Sequence, residues 1–376
     1  MREYIVFVGK DHYNPLGIVR TLGEAGIRPV VIVVKSEPKL VSRSKYVKRK
    51  HIVSSSEEGI QLILREYATS KKEKSFILTG DDVTVMTLDS HYDELKDYFF
   101  FYNAGKTGQI RNYMNKDILC NLATRNGFNV AKTWKVKPGE IPQDIEYPVI
   151  TKAVNSFGAE WKDIVSISHN ADELKIAHAS IRSEYVLLQK LIDKVDEVSF
   201  DGISINHGND FIIIQECRQE YAIEGNYSPY WNVSNCHNSD FIKKARGMLS
   251  EIGLEGIFEF EFMVDKDGQL WFLEINFRNT VLGWATTVAG MPQVILWCNA
   301  MEKGHFSDNW YREIPEGFKA MAECFDYDAR VKTGIITKKE WRKQYKTAQA
   351  KLYLGRNDFV PFLAFMWYKL TKMRPH

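Results

Sequence analysis

GIFEFEFMVDKDGQLWFLEINFRN, from Gly256 to Asn279, places two strand-like runs on either side of a turn, with acidic side chains recurring at every second position. Side chains of a strand alternate between its two faces. Phe258, Phe260 and Phe262 therefore share one face, and Glu259 and Glu261 the other. In the second run Trp271, Leu273 and Ile275 form an apolar face opposite Phe272, Glu274, Asn276 and Arg278. Asp265-Lys266-Asp267-Gly268 supplies the turn chemistry. A connection with an even number of residues pairs odd with even positions, which sets Glu261 and Glu274 on one face. With Asn276 they form an oxygen set suited to Mg²⁺, an ion that takes one or two carboxylates and completes its shell with water and phosphates. Arg278, on the same face, is placed to meet a phosphoryl group or a developing negative charge. A hairpin with one wet, charged face fits the same alternation, and the pattern alone does not separate the two readings.

Outside this stretch, the 376 residues are enough for two or three domains with a substantial core. Hydrophobic residues make up 44% and charged residues 26%, the composition of a soluble globular protein. A formal net charge of +2 gives no polyelectrolyte signature, so nucleic acid is not an expected partner. Five scattered cysteines without a CxxC pair read as reduced thiols, and the location expected from them is cytoplasmic. The apolar run Tyr4 to Val8 is too short for a signal segment. The run Phe359 to Leu370, FVPFLAFMWYKL, is shorter than the ~20 residues a membrane helix needs. It reads as a helix docked on the core, with peripheral membrane contact as the alternative.

Taken in order, Tyr4 to Gly9, Pro15 to Ala25 and Pro29 to Val34 form a β-α-β opening, without the GxGxxG of dinucleotide binding. Asn14 is expected to open the helix, with Pro15 at its first position. A further strand, Phe76 to Leu78, runs into Asp81, which reads first as a helix N-cap and second as a substrate contact at a strand end. The basic cluster Ser42 to His51 reads first as a solvated surface and second as a site for a phosphorylated substrate. Asn115 to Gly127 is a helix, and Tyr147 to Val154 is a strand interrupted by Lys152. Asn155 to Gly158 follows as a small-residue loop able to cover phosphates with backbone N–H groups. Glu197, Ser199 and Asp201 alternate with Val198 and Phe200 as on a half-wet strand, and Phe211 to Ile214 is another strand. The polar and aromatic segment from Glu216 to Asp240 is too irregular to assign and offers Arg218 as a substrate contact. The chain after Asp328 reads as helical.

Several chemistries are absent. The nine histidines never fall at metal-ligand spacing, and neither GxxxxGK[ST] nor GxSxG occurs. Carboxylates, an amide, lysines and an arginine remain, the inventory of phosphoryl transfer by positioning and charge neutralisation.

From roughly Asn115 to Pro292 the sequence resembles the ATP-grasp superfamily. The family places a second acidic residue about thirteen positions after the first, then Asn two later and often Arg two after that. Here 274 − 261 = 13, and EINFR supplies Asn276 and Arg278. The resemblance implies that Glu261, Glu274 and Asn276 hold Mg²⁺, with Mn²⁺ as the alternative ion, and that Arg278 is catalytic. It also implies an ATP site: Lys116 and Lys152 on phosphates, Ser156 and Gly158 in the phosphate loop, the Gln189-Lys190-Leu191 linker beside adenine, and Glu197 on the ribose hydroxyls. Asn155 to Gly158 has fewer glycines than the family loop usually carries.

The architecture so implied is α/β, α+β in its catalytic part. Residues 1–110 are expected as a Rossmann-like pre-ATP-grasp domain and 111–305 as the ATP-grasp domain, with a small lid at about 133–188 and a larger Mg²⁺-binding part at about 189–305. Residues 306–376 are expected as a helical segment packed on the core. The flanking segments NPLGIVRTLGEAGIRPVVIVV, SRSKY, ILTGDD and NDFVP are similar to D-aspartate ligases and related carboxylate-amine ligases. The implied activity is amide or peptide bond formation through an acyl phosphate, from a substrate carboxylate and an amine acceptor. A ligase making a small peptide or modified metabolite, and a non-catalytic ATP-binding regulatory or scaffold protein, are the alternatives.

Overall fold

The computed structural model describes residues 2–70, 72–154, 165–222 and 228–372. Ser156 and Gly158, the expected phosphate-loop contacts, lie outside the described residues. The chain divides into two compact units. The first comprises Met1–Ile110, Val198–Glu259 and Asn276–His376, the second Arg111–Glu197 and Phe260–Ile275. This grouping differs from the expected three-part division. Within the first unit a shared core gathers distant segments: the fully buried indole of Trp297 meets Phe76 and Tyr102 edge-on, and its Nε1 donates to the Ser204 carbonyl.

The first unit opens with a parallel five-stranded sheet of strands β1 (Tyr4–Val8), β2 (Val30–Val34), β3 (Arg49–Val53), β4 (Ser75–Thr79) and β5 (Phe99–Phe100), in the order β3-β2-β1-β4-β5. β1, β2 and β4 are nearly continuous apolar runs because both faces of a parallel sheet are covered. β3 escapes sequence reading because it carries the exposed end of the basic cluster at the sheet edge, where charge discourages further pairing. The first helix, Tyr13–Glu24, starts earlier than expected: its N-cap is His12, whose Nδ1 accepts from the Asn14 N–H at 3.3 Å. Pro15 sits inside the first turn, where the missing N–H has no helical partner to lose.

The second unit holds a four-stranded sheet of β6 (Thr133–Val136), β7 (Val149–Ala153), β8 (Ser166–Ser168) and β9 (Val186–Lys190), in the order β6-β9-β7-β8. All its pairings are antiparallel. Its core is Val136, Val149, Leu174, Val186 and Leu188.

A seven-stranded sheet has the order β14-β13-β10-β11-β12-β15-β16, with β10 at Lys194–Ile205, β11 at Asp210–Gln219, β12 at Tyr230–Ser234, β13 at Gly256–Asp265, β14 at Leu270–Asn276, β15 at Lys319–Met321 and β16 at Ala350–Lys351. The chain passes from one unit to the other inside β10, β13 and β14. Two expectations are corrected here. The segment after Ile214 is not irregular throughout: Glu216 to Gln219 extend β11 and pair with β12. The chain beyond Asp328 is not wholly helical, since β16 pairs with β15 between the helices Lys338–Thr347 and Val360–Lys372.

The hairpin expected from Gly256 to Asn279 forms as β13 and β14, with a tighter turn than expected. Asp265 and Gln269 close it, the Asp265 N–H donating to the Gln269 carbonyl at 3.2 Å and the Gly268 N–H to the Asp265 carbonyl at 3.0 Å. Gly268 adopts a left-handed φ of 76°, which only a residue without Cβ takes at no steric cost. Three loop residues replace four, so the register next to the turn shifts by one and turns Phe272 to the other face. Its ring lies 5.7 Å from Phe262 and 5.9 Å from Phe128, within a cluster that also includes Phe260. The expectation that Phe272 shares the acidic face is thereby corrected, and the even-numbered connection from which Glu261 and Glu274 were expected on one face does not form.

Candidate active site

In the second unit the chemistry gathers around Lys152, on β7. Its Nζ donates to Gln189 Oε1 at 2.7 Å, and Gln189 Nε2 in turn donates to Thr133 Oγ1 at 3.0 Å. Thr133 and Gln189 face each other across β6 and β9, which fixes the amide on β9 beside the lysine. Burial, and next the like charge of Lys116, push the Lys152 ammonium down to about 8, while Glu274 pulls in the opposite direction. Lys116 is the first residue of the helix Lys116–Arg125, whose N-cap Asn115 accepts from the Asp117 N–H. Two cations held in mutual repulsion, one of them desolvated, make a place that an anion relieves.

The linker departs from a free hydrogen-bonding edge. The Lys190 N–H donates to the Lys132 carbonyl at 2.8 Å and the Leu191 N–H to the Pro148 carbonyl at 3.0 Å, so both donors have backbone partners. The Lys190 ammonium donates to the Tyr147 carbonyl at 3.2 Å. Glu197, on β10, is ion-paired with Lys194 at 2.5 Å. Glu261 and Glu274 are half-buried on β13 and β14.

The first unit carries the continuation of the motif. Asn276 Nδ2 donates to Glu259 Oε2 at 2.9 Å, and Asn276 Oδ1 accepts from Arg278 Nη2 at 3.1 Å. Arg278 also grips Asp82, with Nε 2.6 Å from Oδ1 and Nη2 3.2 Å from Oδ2. His12 lies close to this pair, and burial first, then Lys10 and Arg278, push its imidazole down to about 3. It is neutral and serves as an acceptor. Asp81 caps the helix Asp82–Ser90, accepting from the Thr84 N–H at 3.0 Å and the Gly9 N–H at 2.8 Å. A Cβ on Gly9 would stand 2.5 Å from Asp81 Oδ1, so glycine is what permits this approach. With both oxygens engaged and 7% exposure, Asp81 supports helix geometry, and its neighbour Asp82 is the carboxylate that reaches Arg278.

Asp201, expected on a wet face, is instead fully buried. It accepts from Thr280 Oγ1 at 2.7 Å and Gln215 Nε2 at 3.0 Å, anchoring the backbone just past Arg278. Burial pushes its carboxyl up to about 6. Glu259, Asp82 and Asp201 are the site-supporting groups that sequence reading missed as such. Alternation offered Glu259 and Asp201 as exposed acids, and nothing local ties Asp82 to a residue nearly two hundred positions away. Arg218 lies on β11 with its Nε 3.0 Å from Glu216 Oε1, half-exposed at its side chain.

Among the described residues no group of three or more His, Cys, Asp or Glu converges as a ready-made metal cage. Two half-exposed carboxylates fit an ion that completes its shell with water and phosphate oxygens, as Mg²⁺ does.

A lysine pair positioned for an anion and the hairpin carboxylates Glu261 and Glu274 both belong to the second unit. Residues 113–297, just under half of the chain, match the family described as carbamoyl-phosphate synthase L chain, ATP binding domain. No curated protein matches the sequence.

Solved structures share the fold. An L-amino acid ligase from Bacillus licheniformis superposes with a TM-score of 0.61 at 13% identity, covering 82% of this chain and 76% of that one. Biotin carboxylase from Campylobacter jejuni, in a structure named a beta-gamma-ATP complex, gives 0.63 at 17% identity, covering 82% and 73%. N5-carboxyaminoimidazole ribonucleotide synthetase from Thermotoga maritima gives 0.58 at 16% identity, covering 84% and 79%.

Proposed function

We propose that this protein is an ADP-forming carboxylate-amine ligase. ATP phosphorylates a substrate carboxylate: the carboxylate oxygen forms the new P–O bond, the bond between the γ-phosphorus and the bridging oxygen breaks, and ADP leaves. The amine then attacks the acyl carbon and expels inorganic phosphate, giving an amide and a released proton. A carboxylate is a poor acylating agent near neutral pH, and the phosphoryl group turns its oxygen into a leaving group.

The observation that carries this reading is the desolvated Lys152 beside Lys116, in a domain of ATP-grasp type whose hairpin supplies Glu261 and Glu274. Lys116 and Lys152 hold the phosphates. Glu261, Glu274 and Asn276 hold Mg²⁺, which when bound neutralises phosphate charge. Arg278 stabilises the transferring phosphoryl group. Gln189, Lys190 and Leu191 line the base, and Glu197 meets the ribose. Because the Lys190 and Leu191 N–H groups already have partners, the base meets the carbonyl side of this linker and the side chains. Amino acids are the first substrates to try, since one structure of this fold is named an L-amino acid ligase. D-aspartate stands among the acceptors.

The test is ADP release in the presence of Mg²⁺, ATP and single or paired amino acids and short peptides, with Glu274→Ala as control. Release that requires both an added carboxylate and an added amine supports the ligase. Release unaffected by Glu274→Ala overturns the site.

A further inference from the structure

The helix Val360–Lys372 is docked by one side only. On its inner side Phe365 stacks on Tyr353 with ring centroids 4.5 Å apart, and Lys369 pairs with Asp328. Its outer side is apolar. Phe359 just before it, then Val360, Leu363, Met366, Trp367 and Leu370, are all exposed, Trp367 at 70% and Leu370 at 62%. Their spacing of three and four residues puts them on one stripe. A surface helix ordinarily turns such a stripe to the core and its polar side to water, and here the outward face is the apolar one.

Beside that stripe runs a shallow groove of about 430 Å³, walled by Leu363 and Trp367 on one bank and by Lys39 and Arg43 on the other. Glu37 also borders it and pairs with Lys39 at 3.3 Å. Arg43 and Lys45 have no ion pair among the described residues, and both are exposed, Lys45 lying over the Tyr46 ring. These cations belong to the basic cluster Ser42 to His51, for which ATP chemistry has no use.

We propose that this face docks on an anionic lipid surface, with Leu363, Met366, Trp367 and Leu370 entering the headgroup region and Arg43 and Lys45 meeting lipid phosphates. An apolar stripe fringed by cations, with tryptophan at its most exposed point, matches the chemistry of a negatively charged bilayer interface. A second copy of this chain would set the same cations against one another, which the charge distribution disfavours. No helix among the described residues is long and apolar enough to cross a membrane, so the attachment is peripheral. The inference is independent of the ligase reading.

The test is flotation of the full-length protein with vesicles of phosphatidylcholine alone and of phosphatidylcholine with phosphatidylglycerol, with sedimentation velocity alongside. The protein is expected to float with the anionic vesicles and to be released by high salt. Leu363→Glu with Trp367→Glu, at exposed positions, should lower binding about tenfold or more. Arg43→Glu with Lys45→Glu, which leaves the stripe intact, should lower it by a similar factor. Thermal unfolding of both variants at the wild-type midpoint excludes misfolding as the cause. Absence of flotation with either vesicle overturns the proposal. So does equal binding by wild type and both variants, or a dimer that the stripe variant dissolves without any vesicle binding.

Discussion

Arg278 and Asp82 form a two-pronged ion pair across 196 residues of sequence, at 2.6 and 3.2 Å, and the same guanidinium donates to Asn276 Oδ1 at 3.1 Å. A fork held from two directions keeps one orientation. Arg278→Ala is expected to lower kcat about 100-fold with a smaller effect on the KM for ATP, because the interaction is realised in transfer. Arg278→Lys keeps the charge, loses the fork and recovers only part of that rate. Asp82→Asn is expected to cost about tenfold through orientation alone. Steady-state ADP release checks all three, and a wild-type kcat for Arg278→Lys contradicts the role.

The Lys152 ammonium predicts a pH dependence. In the free enzyme it titrates near pH 8, below its ordinary 10.5, through burial first and Lys116 second. As pH rises through 8 the free enzyme loses a cation from the phosphate site. The KM for ATP should therefore rise from pH 7 to pH 9, and Lys152→Met should raise it at pH 7 and flatten the profile. For stability the sign runs the other way. The folded chain releases this proton near 8 and the unfolded chain near 10.5, so the unfolded state binds more protons between them, and this group's contribution to stability increases with pH in that window. Unfolding followed from pH 7.5 to 10 in wild type and Lys152→Met isolates that contribution.

Glu261→Gln and Glu274→Gln each keep side-chain volume and remove a metal-binding charge. Each is expected to lower Mg²⁺-dependent ADP release by about 100-fold or more, with higher Mg²⁺ restoring part of it. Mg²⁺ titrations of activity, with circular dichroism as a fold control, distinguish lost metal affinity from misfolding.

The phenylalanine cluster sets the price of misplacing the hairpin. Phe128 is 8% exposed and stacks at 5.9 Å on Phe272 and 5.3 Å from Phe262. Phe128→Ala is expected to cost about 3–5 kcal/mol, since it removes a buried ring and leaves a cavity. Phe128→Leu should cost less. Denaturant titration monitored by far-UV circular dichroism reads the loss.

The residues whose role depends on local pattern were legible in the sequence. Strand alternation found the hairpin, and the Asp81 cap lay in the residues around it. The turn is shorter than the four residues expected because a left-handed Gly268 closes it in three, a choice that composition does not fix and that shifts Phe272 to the aromatic side. Short strands escaped for a different reason: β15 and β16 have three and two residues, too few for any alternation to register. The Asp82 contact to Arg278 and the Thr280 contact to Asp201 are made by tertiary packing. A carboxylate buried at no exposure, such as Asp201, carries the same letter as one in water.

In the proposed reaction a substrate carboxylate receives the γ-phosphoryl group, and this transfer leaves an isotopic trace. It is tested most directly by mass analysis of the phosphate released from unlabelled ATP in the presence of Mg²⁺, the amine and a carboxylate substrate labelled with ¹⁸O. Transfer through an acyl phosphate predicts one ¹⁸O in each phosphate formed. Phosphate carrying no label, while ATP is consumed and product appears, would contradict it.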